Sequence, residues 1–397
     1  MHLSNRQIFQ QHLAKASVVN DPIEIVKAEG IYIYGDDGRQ YIDLVSGVSV
    51  SNLGHSNPVV IEAIKQQADN YMHLMVYGKY VQSPQVQLTK KLVDYLPDQL
   101  NSVYLVNSGS EAVEGALKLA KRITGRREII AFNNAYHGST HGALSVLGNE
   151  EMKNAYRPLL PGISFCKFNN YETVDKITEN TAAIIMEPVQ TEAGIILGDL
   201  DWLLAIREKC NETGTILIYD EVQLGFGRTG KLFAFEKFNI VPDILCLAKA
   251  MGSGMPIGAF ISSTDNMSKL THNPELGHIT TFGGHPVSCA ASLAGLNIIL
   301  DENLPEKADN LGKLTVNELA THPAIKEIRR IGLMIGVEIK EPYNVNQLIK
   351  IFQKNGLIVD QFLFNETSFR IAPPLTVTEE EIKTIAFKVI ASLNELQ

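Results

Sequence analysis

The sequence predicts an α/β protein built around a mostly parallel β-sheet that is covered by helices on both faces. Between about residues 101 and 263, short apolar runs alternate with helical stretches, and the runs are continuously apolar rather than alternating. Polar residues follow several of these runs, among them Asn107, Glu187, Asp220 and Lys249. Because ligands bind at the carboxyl ends of the strands in such sheets, this edge is the predicted functional site.

The predicted elements follow in chain order. Helices are expected at 112–120 and 201–212, between strands at 103–106, 128–132, 182–186, 215–219, 244–247 and 258–262. Beyond about residue 300 the predicted strands are 328–338, 357–363 and 368–371, before a last helix that Thr378 and Glu381 open with a capping box.

The change in the spacing of the predicted strands beyond about residue 300 indicates two domains. A hairpin-like segment at 30–43 is expected to join the C-terminal strands in a smaller α+β domain formed from both chain ends. We therefore expect residues 1–55 to form its N-terminal part, 56–300 the large domain and 301–397 its C-terminal part.

Composition excludes several classes of function. The 397 residues are 45% hydrophobic and 20% charged, as in an ordinary soluble globule, and the formal net charge of -9 argues against a nucleic-acid partner. No run approaches the ~20 apolar residues of a membrane span, and the first residues lack an apolar signal core. Four scattered cysteines without a CxxC pair favour a reducing cytoplasm. The sequence predicts a cytoplasmic protein that acts on small molecules.

Lys249 is the most informative residue of the chain. It follows the apolar run 244–248 and precedes a glycine-rich loop at 251–256. An ammonium among apolar neighbours is difficult to keep charged, and a neutral amine attacks a carbonyl. Asp220 ends the preceding strand. A lysine and a carboxylate at neighbouring strand ends are the two groups that an aldehyde cofactor with a ring nitrogen needs, so we expect pyridoxal 5'-phosphate.

Other candidate residues allow a structural as well as a functional interpretation. The segment 108–111 stands before a helix, where backbone N–H groups and Gly109 can receive a phosphate, or where Ser108 and Glu111 form only a capping box. Tyr136 can stack on a cofactor ring or fill the core. Arg370, in an apolar strand, needs an anion, either a substrate carboxylate or a structural Asp or Glu.

Two further patterns are judged to be coincidental. Residues 225–230 match GxGxxG, but the next strand comes too soon for the long helix of a dinucleotide fold, and Leu232 stands where a phosphate loop needs Ser or Thr. The ten histidines form no HExxH motif, so no metal site is expected.

Taken together, these segments resemble the class III aminotransferases, the ornithine, acetylornithine and 4-aminobutyrate type of pyridoxal-phosphate enzyme. The resemblance covers nearly the whole chain. The segments that carry it are 41–43, 54–55, 107–112, 136–138, 187–190, 220–230, 247–249, 281–284, Arg370 and 373–374.

The resemblance implies a fold-type I homodimer with shared active sites, in which Lys249 would attach the cofactor and move a proton. Asp220 would hold the ring nitrogen, Gln223 the phenolic oxygen, and Tyr136 and Val222 the two ring faces. The implied cofactor residues are Ser108, Gly109, Ser110, Tyr136, His137, Glu187, Asp220, Val222, Gln223, Lys249 and Thr281, the last from the neighbouring subunit.

The implied substrates are an amino donor and a 2-oxo acid acceptor, 2-oxoglutarate, in a ping-pong cycle. Arg370 would bind the α-carboxylate and would pair with Glu192 when the other substrate is bound. The residues assigned to the substrate are Arg370, Glu192, Ser139 and Thr280.

The sequence departs from the family pattern at the donor site. Ser139 stands where relatives carry an Arg that binds the far carboxylate of an ω-amino substrate, and His285 replaces the usual Asn. Residues 242–250 and 159–162 look closer to putrescine aminotransferases. The sequence therefore leaves the donor open among ornithine, acetylornithine and a diamine. Decarboxylation or aminomutase chemistry on the same fold, pyruvate as acceptor, and a non-catalytic nucleotide-binding protein remain as alternatives.

Overall fold

A computed structural model describes residues 3–17 and 22–396. The helices are α1 (Asn5–His12), α2 (Ser46–Ser49), α3 (Pro58–Asn70), α4 (Ser83–Val93), α5 (Gly109–Thr124), α6 (His141–Val146), α7 (Glu172–Lys176), α8 (Leu200–Thr213), α9 (Phe235–Phe238), α10 (Thr264–Ser268), α11 (Pro286–Asp301), α12 (Leu304–Leu319), α13 (Val345–Lys354) and α14 (Glu379–Asn394).

The strands are β1 (Ile25–Glu29), β2 (Tyr32–Gly35), β3 (Gln40–Asp43), β4 (Ser102–Val106), β5 (Glu128–Phe132), β6 (Ile163–Cys166), β7 (Thr181–Met186), β8 (Val189–Gln190), β9 (Ile196–Leu197), β10 (Ile216–Asp220), β11 (Ile244–Leu247), β12 (Gly258–Ser262), β13 (Ile325–Ile331), β14 (Met334–Ile339), β15 (Leu357–Ile358), β16 (Gln361–Phe362) and β17 (Asn365–Ile371).

The largest sheet has seven strands in the order β4, β12, β11, β10, β7, β5, β6. β12 runs antiparallel to both of its neighbours, and the other pairs are parallel. The predicted α/β fold with a mostly parallel sheet is confirmed. The prediction missed β6, an edge strand whose Ser164 is exposed and whose apolar run is correspondingly broken.

Both ends of the chain meet in smaller sheets. β1, β2 and β3 form an antiparallel meander, and β15 adds to it in parallel, with Leu357 opposite Ile42. A second sheet has the order β13, β14, β17, β16.

Two of the predicted C-terminal strands are divided in the structure. The stretch 328–338 is a hairpin because Gly332, with φ of +56°, turns the chain between β13 and β14. The stretch 357–363 is split because β15 pairs with β3 whereas β16 pairs with β17, so the chain changes sheet at Asp360.

The predicted capping box of the last helix is confirmed. Thr378 accepts a hydrogen bond from the Glu381 N–H at 3.2 Å, and Glu381 accepts one from the Thr378 N–H at 2.8 Å. Within residues 3–17 and 22–396, no helix combines the length and apolar composition needed to cross a membrane.

Candidate active site

The carboxyl end of the large sheet opens into a cavity of about 440 Å³. It lies where the strands end and the following loops diverge, as expected for a parallel sheet. All of the residues predicted to bind the cofactor line it, except Thr281. Its lining consists of Val50, Asn107, Ser108, Gly109, Ser110, Tyr136, His137, Gly138, Glu187, Thr191, Asp220, Val222, Gln223, Ala248, Lys249, Gly254, Met255, Pro256 and Ile257.

Lys249 reaches this cavity from the second residue after the buried end of β11. Burial lowers the pKa of its amine to about 8, although the carboxylates of Glu192, Asp220 and Glu187 act in the opposite direction. The backbone of Lys249 has φ of +51°, a conformation that non-glycine residues rarely adopt. Such strain is typical of functional positions.

Asp220 is held by a partner that its sequence neighbours did not reveal. One carboxylate oxygen accepts a hydrogen bond from the Val222 N–H at 3.0 Å, and the other lies 2.7 Å from Nδ1 of His137. His137 is buried, and its Nε2 has no hydrogen-bond partner among the described residues. The imidazole therefore orients the carboxylate at the end of β10.

The N-terminus of α5 forms one wall of the cavity. Ser108 is the N-cap and accepts a hydrogen bond from the Glu111 N–H at 3.2 Å. The Glu111 carboxylate does not complete a capping box. It accepts a hydrogen bond from the backbone N–H of Asn107 at 2.7 Å instead. A Cβ atom at Gly109 would lie 2.7 Å from a methyl group of Val222. Only glycine fits there, and the first turn of the helix leaves N–H groups free toward the cavity.

Glu187 connects two loops at the opposite wall. It accepts hydrogen bonds from the Tyr136 N–H at 3.1 Å and from the N–H and hydroxyl of Thr191 at 3.0 and 2.7 Å. Burial raises the pKa of Glu187 to about 7, with a further contribution from Asp220. Glu187 thereby positions Tyr136, whose ring lines the cavity.

Ser139 lies beside the ring of Tyr136. Its hydroxyl is 3.2 Å from the Tyr136 hydroxyl, and its N–H donates to the Ser110 hydroxyl at 3.3 Å. Ser139 is exposed. Its short side chain brings no positive charge to this part of the site.

Arg370 is buried between two carboxylates. Its Nη2 donates to both oxygens of Glu192 at 2.8 and 2.9 Å, and its Nε lies 3.4 Å from Asp360. Gln223 bridges the pair, accepting from Arg370 Nη1 at 3.2 Å and donating to Glu192 at 2.8 Å. The guanidinium carbon lies 4.8 Å from the centre of the Phe362 ring. Without a substrate, the charge of Arg370 is balanced by the side chains of Glu192 and Asp360. Such a structural partner is one of the two possibilities that the sequence left open.

The ionisation of the two carboxylates differs. Although burial acts against it, Arg370 holds the pKa of Glu192 below its ordinary value. Burial raises the pKa of Asp360 to about 6, Arg370 opposes this, and Glu192 adds to it. Asp360 was missed from the sequence because it precedes a two-residue strand and no pattern marks it.

Thr280 and Thr281 are not among the described residues that line this cavity. Thr280 accepts a hydrogen bond from the Asn107 side chain at 2.7 Å, and Thr281 is exposed, with its hydroxyl 3.5 Å from that of Tyr77.

The GxGxxG segment at 225–230 is a series of turns followed by the four-residue helix α9. Its Arg228 is fully buried and donates to the carbonyls of Leu333 and Pro373 at 3.0 and 2.6 Å and to the Asn52 side chain at 2.6 Å. The segment joins distant parts of the chain, and the long helix of a dinucleotide fold does not follow it.

Comparison with known proteins identifies the family. The model of the family described as aminotransferase class-III matches residues 13–393. The chain belongs to the class III aminotransferases. It is therefore a transaminase, and pyridoxal 5'-phosphate is its cofactor.

Relatives of this aminotransferase resemble it over most of its length. An acetylornithine aminotransferase of Methanopyrus kandleri is 40% identical, over 91% of this chain and 92% of the relative. A LysW-aminoadipate semialdehyde/glutamate semialdehyde transaminase of Sulfolobus acidocaldarius is 39% identical over the same shares. The structure of ornithine aminotransferase from Toxoplasma gondii superposes with a TM-score of 0.89 at 29% identity, covering 97% of this chain and 93% of that one. That of an omega-transaminase from Thermomicrobium roseum gives 0.91 at 28% identity, covering 98% and 97%.

The residues at the cavity fit pyridoxal phosphate. Lys249 offers a buried amine of lowered pKa, and Asp220 offers a carboxylate that His137 orients. The position of Gly109 leaves no room for a Cβ atom beside Val222. An amine, a carboxylate and a helix N-terminus are the groups that an aldehyde, a pyridine nitrogen and a phosphate require.

Proposed function

We propose that this aminotransferase moves an amino group from an ω-amine of ornithine, acetylornithine or diamine type to 2-oxoglutarate in a ping-pong cycle. The observation that carries the proposal is the buried pair of Arg370 and Glu192 beside the cavity of Lys249. An arginine whose carboxylate partner can be exchanged for that of a substrate lets one pocket accept an acid and a carboxylate-free amine in turn.

The residues at the cavity have the following proposed roles. When bound, the cofactor supplies an electrophilic aldehyde and a ring that accepts electrons from the substrate carbon. Lys249 would hold the cofactor through its amine and would carry the proton between substrate and cofactor carbons. Asp220 would accept a hydrogen bond from the ring nitrogen, and Gln223 would donate one to the phenolic oxygen. Tyr136 and Val222 would contact the two faces of the ring.

The start of α5 would receive the phosphate group. The N–H groups of Gly109 and Ser110 and the hydroxyl of Ser110 would hold it, and the dipole of the helix would favour its negative charge. Thr281 of the partner subunit would add a hydroxyl.

The donor side of the pocket favours a substrate without a distal carboxylate. Lys249 is the only lysine or arginine among the described residues that line the cavity, and Val50, Met255 and Ile257 contribute apolar surface. Ser139 stands where the family resemblance implies an arginine. A donor carboxylate there would find no positive partner, so we expect a diamine to be preferred over a donor with a distal carboxylate.

A donor and acceptor screen tests the proposal. Ornithine, N-acetylornithine, putrescine, 4-aminobutyrate and β-alanine are each offered with 2-oxoglutarate or pyruvate, and the amino acid formed is quantified. We expect glutamate from 2-oxoglutarate with putrescine as the best donor. Strong selectivity for 4-aminobutyrate contradicts the donor assignment, and lack of glutamate from every donor overturns the proposed reaction.

Lys249→Ala is the matching test of the proposed catalytic residue. Without the amine, proton transfer loses its positioned base, and we expect kcat to fall by at least about a thousandfold. Retention of cofactor absorbance and of the melting temperature shows that the variant is folded. Full turnover in this variant contradicts the assignment.

Ser139→Arg tests the donor pocket directly. The added guanidinium should raise kcat/KM for N-acetylornithine or 4-aminobutyrate relative to putrescine by up to about fivefold, since an ion pair at an exposed position contributes up to about 1 kcal/mol. Ser139→Ala, which removes the hydroxyl without adding charge, should leave the ratio unchanged. An equal loss toward all donors would mean that residue 139 does not contact the donor.

A pyruvate-dependent ω-transaminase is the second candidate function. Its support is the TM-score of 0.91 with the omega-transaminase and the apolar residues of the cavity wall. Alanine formed from pyruvate at a higher kcat/KM than glutamate from 2-oxoglutarate would favour it.

We also propose that the enzyme is a cytoplasmic homodimer with shared active sites. Its four cysteines are unpaired and buried, as suits a reducing compartment. Val81 is 92% and Phe282 54% exposed, and Tyr77 and Thr280 line a second hollow of about 770 Å³. A second copy covering this surface would bring Thr281 to the neighbouring cavity. Light scattering tests the dimer. Thr281→Ala should weaken cofactor binding without dissociating the dimer.

A further inference from the structure

We propose that Asp360 determines specificity at the carboxylate site: its negative charge weakens the binding of a carboxylate substrate at Arg370 relative to a carboxylate-free donor. The inference rests on the proposed function, in which Glu192 and the substrate carboxylate exchange on Arg370. Neither the sequence pattern nor the family resemblance pointed to Asp360.

The chain places Asp360 beside Arg370 through the backbone. The Arg370 N–H donates to the Asp360 carbonyl at 2.9 Å, where β17 runs antiparallel to β16. The Asp360 side chain then approaches the guanidinium at Nε, 3.4 Å away, on a different side from the Nη2 that Glu192 occupies. Arg370 therefore has two carboxylate neighbours at once.

Arg370 does not depend on Asp360 for its position. Glu192 and Gln223 hold its two terminal nitrogens, and Phe362 lies against its guanidinium plane. The contact between Nε and Asp360 is long, and neither atom makes a hydrogen bond among the described residues. Removal of the Asp360 charge should therefore leave the guanidinium in place.

The charges around Arg370 give the direction of the effect. Without substrate, the Arg370 guanidinium faces the carboxylates of Glu192 and Asp360. When an acid binds, Glu192 moves aside within the same pocket, and the carboxylate of the acid adds another negative charge near Asp360. The pKa of Asp360 is raised to about 6, partly by Glu192, so the two carboxylates already repel each other. At pH 8 Asp360 is ionised and opposes the incoming acid. A diamine brings no such charge to Arg370.

Binding of glutarate to the holoenzyme at pH 8 is the direct test. This five-carbon dicarboxylate has no keto or amino group to react, and calorimetry gives its Kd. Asp360→Asn should lower the Kd by about three- to tenfold, the scale of a like-charge repulsion in a partly screened site. Glu366→Gln, which removes an exposed carboxylate from the same hairpin, should leave it unchanged. Asp360→Ser provides a second neutral variant, so that the result does not depend on one substitution folding.

Kinetics distinguish charge from a structural role. In Asp360→Asn, the KM for 2-oxoglutarate should fall by the same factor, while kcat and the KM for the carboxylate-free donor change by less than about twofold. An unchanged or weaker affinity for glutarate in both neutral variants overturns the inference. A wild-type enzyme that forms no glutamate from any donor overturns the proposed function instead, and the two failures are therefore separate.

Discussion

At the scale of single residues, the chemistry of the site depends on how burial changes the basicity of Lys249. The buried strand β11 and the cavity wall exclude water from its amine, and the pKa falls to about 8. At pH 7 about a tenth of such amines are neutral, far more than of an exposed lysine. The nearby carboxylates favour the charged form and limit the shift, so burial is the cause of the larger neutral fraction.

This pKa predicts how the apoenzyme takes up its cofactor. The neutral amine is the nucleophile, so the rate of covalent attachment of added pyridoxal phosphate should rise with pH through about 8 and then level off. Stopped-flow absorbance between pH 6 and pH 10 gives the profile, and Lys249→Ala should show no attachment that borohydride can trap. A rate that keeps rising up to pH 10 without levelling off near pH 8 would indicate an ordinary exposed lysine.

At the scale of elements, the start of α5 is shaped to receive an anion. Ser108 caps the helix and Gly125 ends it in a left-handed conformation, so local sequence defines both ends. The close approach of Val222 to Gly109 is a tertiary feature, because Val222 belongs to the loop after β10. The caps of α5 are therefore encoded locally, whereas the contact between Val222 and its first residue at the cavity depends on the fold.

Gly109→Ala tests this close approach. The new methyl group would lie 2.7 Å from Val222, so the first turn of α5 must shift, and we expect the Kd of pyridoxal phosphate to rise by about tenfold or more. Absorbance titration of the apoenzyme gives the Kd. Addition of Val222→Ala should recover part of the loss, with Val222→Ala alone as the reference. No recovery in the double variant would show that the clash is not the cause.

At the scale of the whole molecule, the two ends of the chain are tied to each other and to the loop that follows β10 of the large sheet. β15 pairs with β3, and the hairpin of β13 and β14 packs on the loop that contains Arg228. The Leu333 N–H donates to the Arg228 carbonyl at 3.0 Å, and the Arg228 side chain donates to the Leu333 carbonyl at the same distance. These contacts fix the sheet that carries Arg370 relative to the cavity.

Two glycine variants measure this contact. A Cβ at Gly332 would lie 2.3 Å from backbone atoms of Arg228 and Thr229, so Gly332→Ala should destabilise the protein by about 3 kcal/mol or more. Gly38 also has a positive φ, but no atom lies within 4 Å of its Cβ position, so Gly38→Ala should cost only about 1 kcal/mol. Thermal melts compare the two. Equal losses would mean that backbone conformation, and not packing, sets the cost at Gly332.

Local sequence patterns were sufficient to predict an element when the residues that define it lie within one segment. The buried strands of the large sheet are continuous apolar runs, and Thr378 with Glu381 forms the predicted capping box. Prediction from the sequence was wrong where strand pairing determines the boundaries of a strand. Nothing local marks the change of sheet at Asp360. The apolar run of edge strand β6 is too weak to predict a strand. Pairing partners are set by three-dimensional packing, which a linear pattern does not contain.

The sequence by itself determined the α/β class, the polar strand ends and the identity of Lys249 and Asp220 as the outstanding candidates, because these follow from residue type and position within a segment. Only the tertiary structure decided which groups tune them. His137 reaches Asp220 from 83 positions away, and Glu192 reaches Arg370 from 178. Burial, charge pairing and pKa depend on such neighbours in space, and the packed fold alone brings them together.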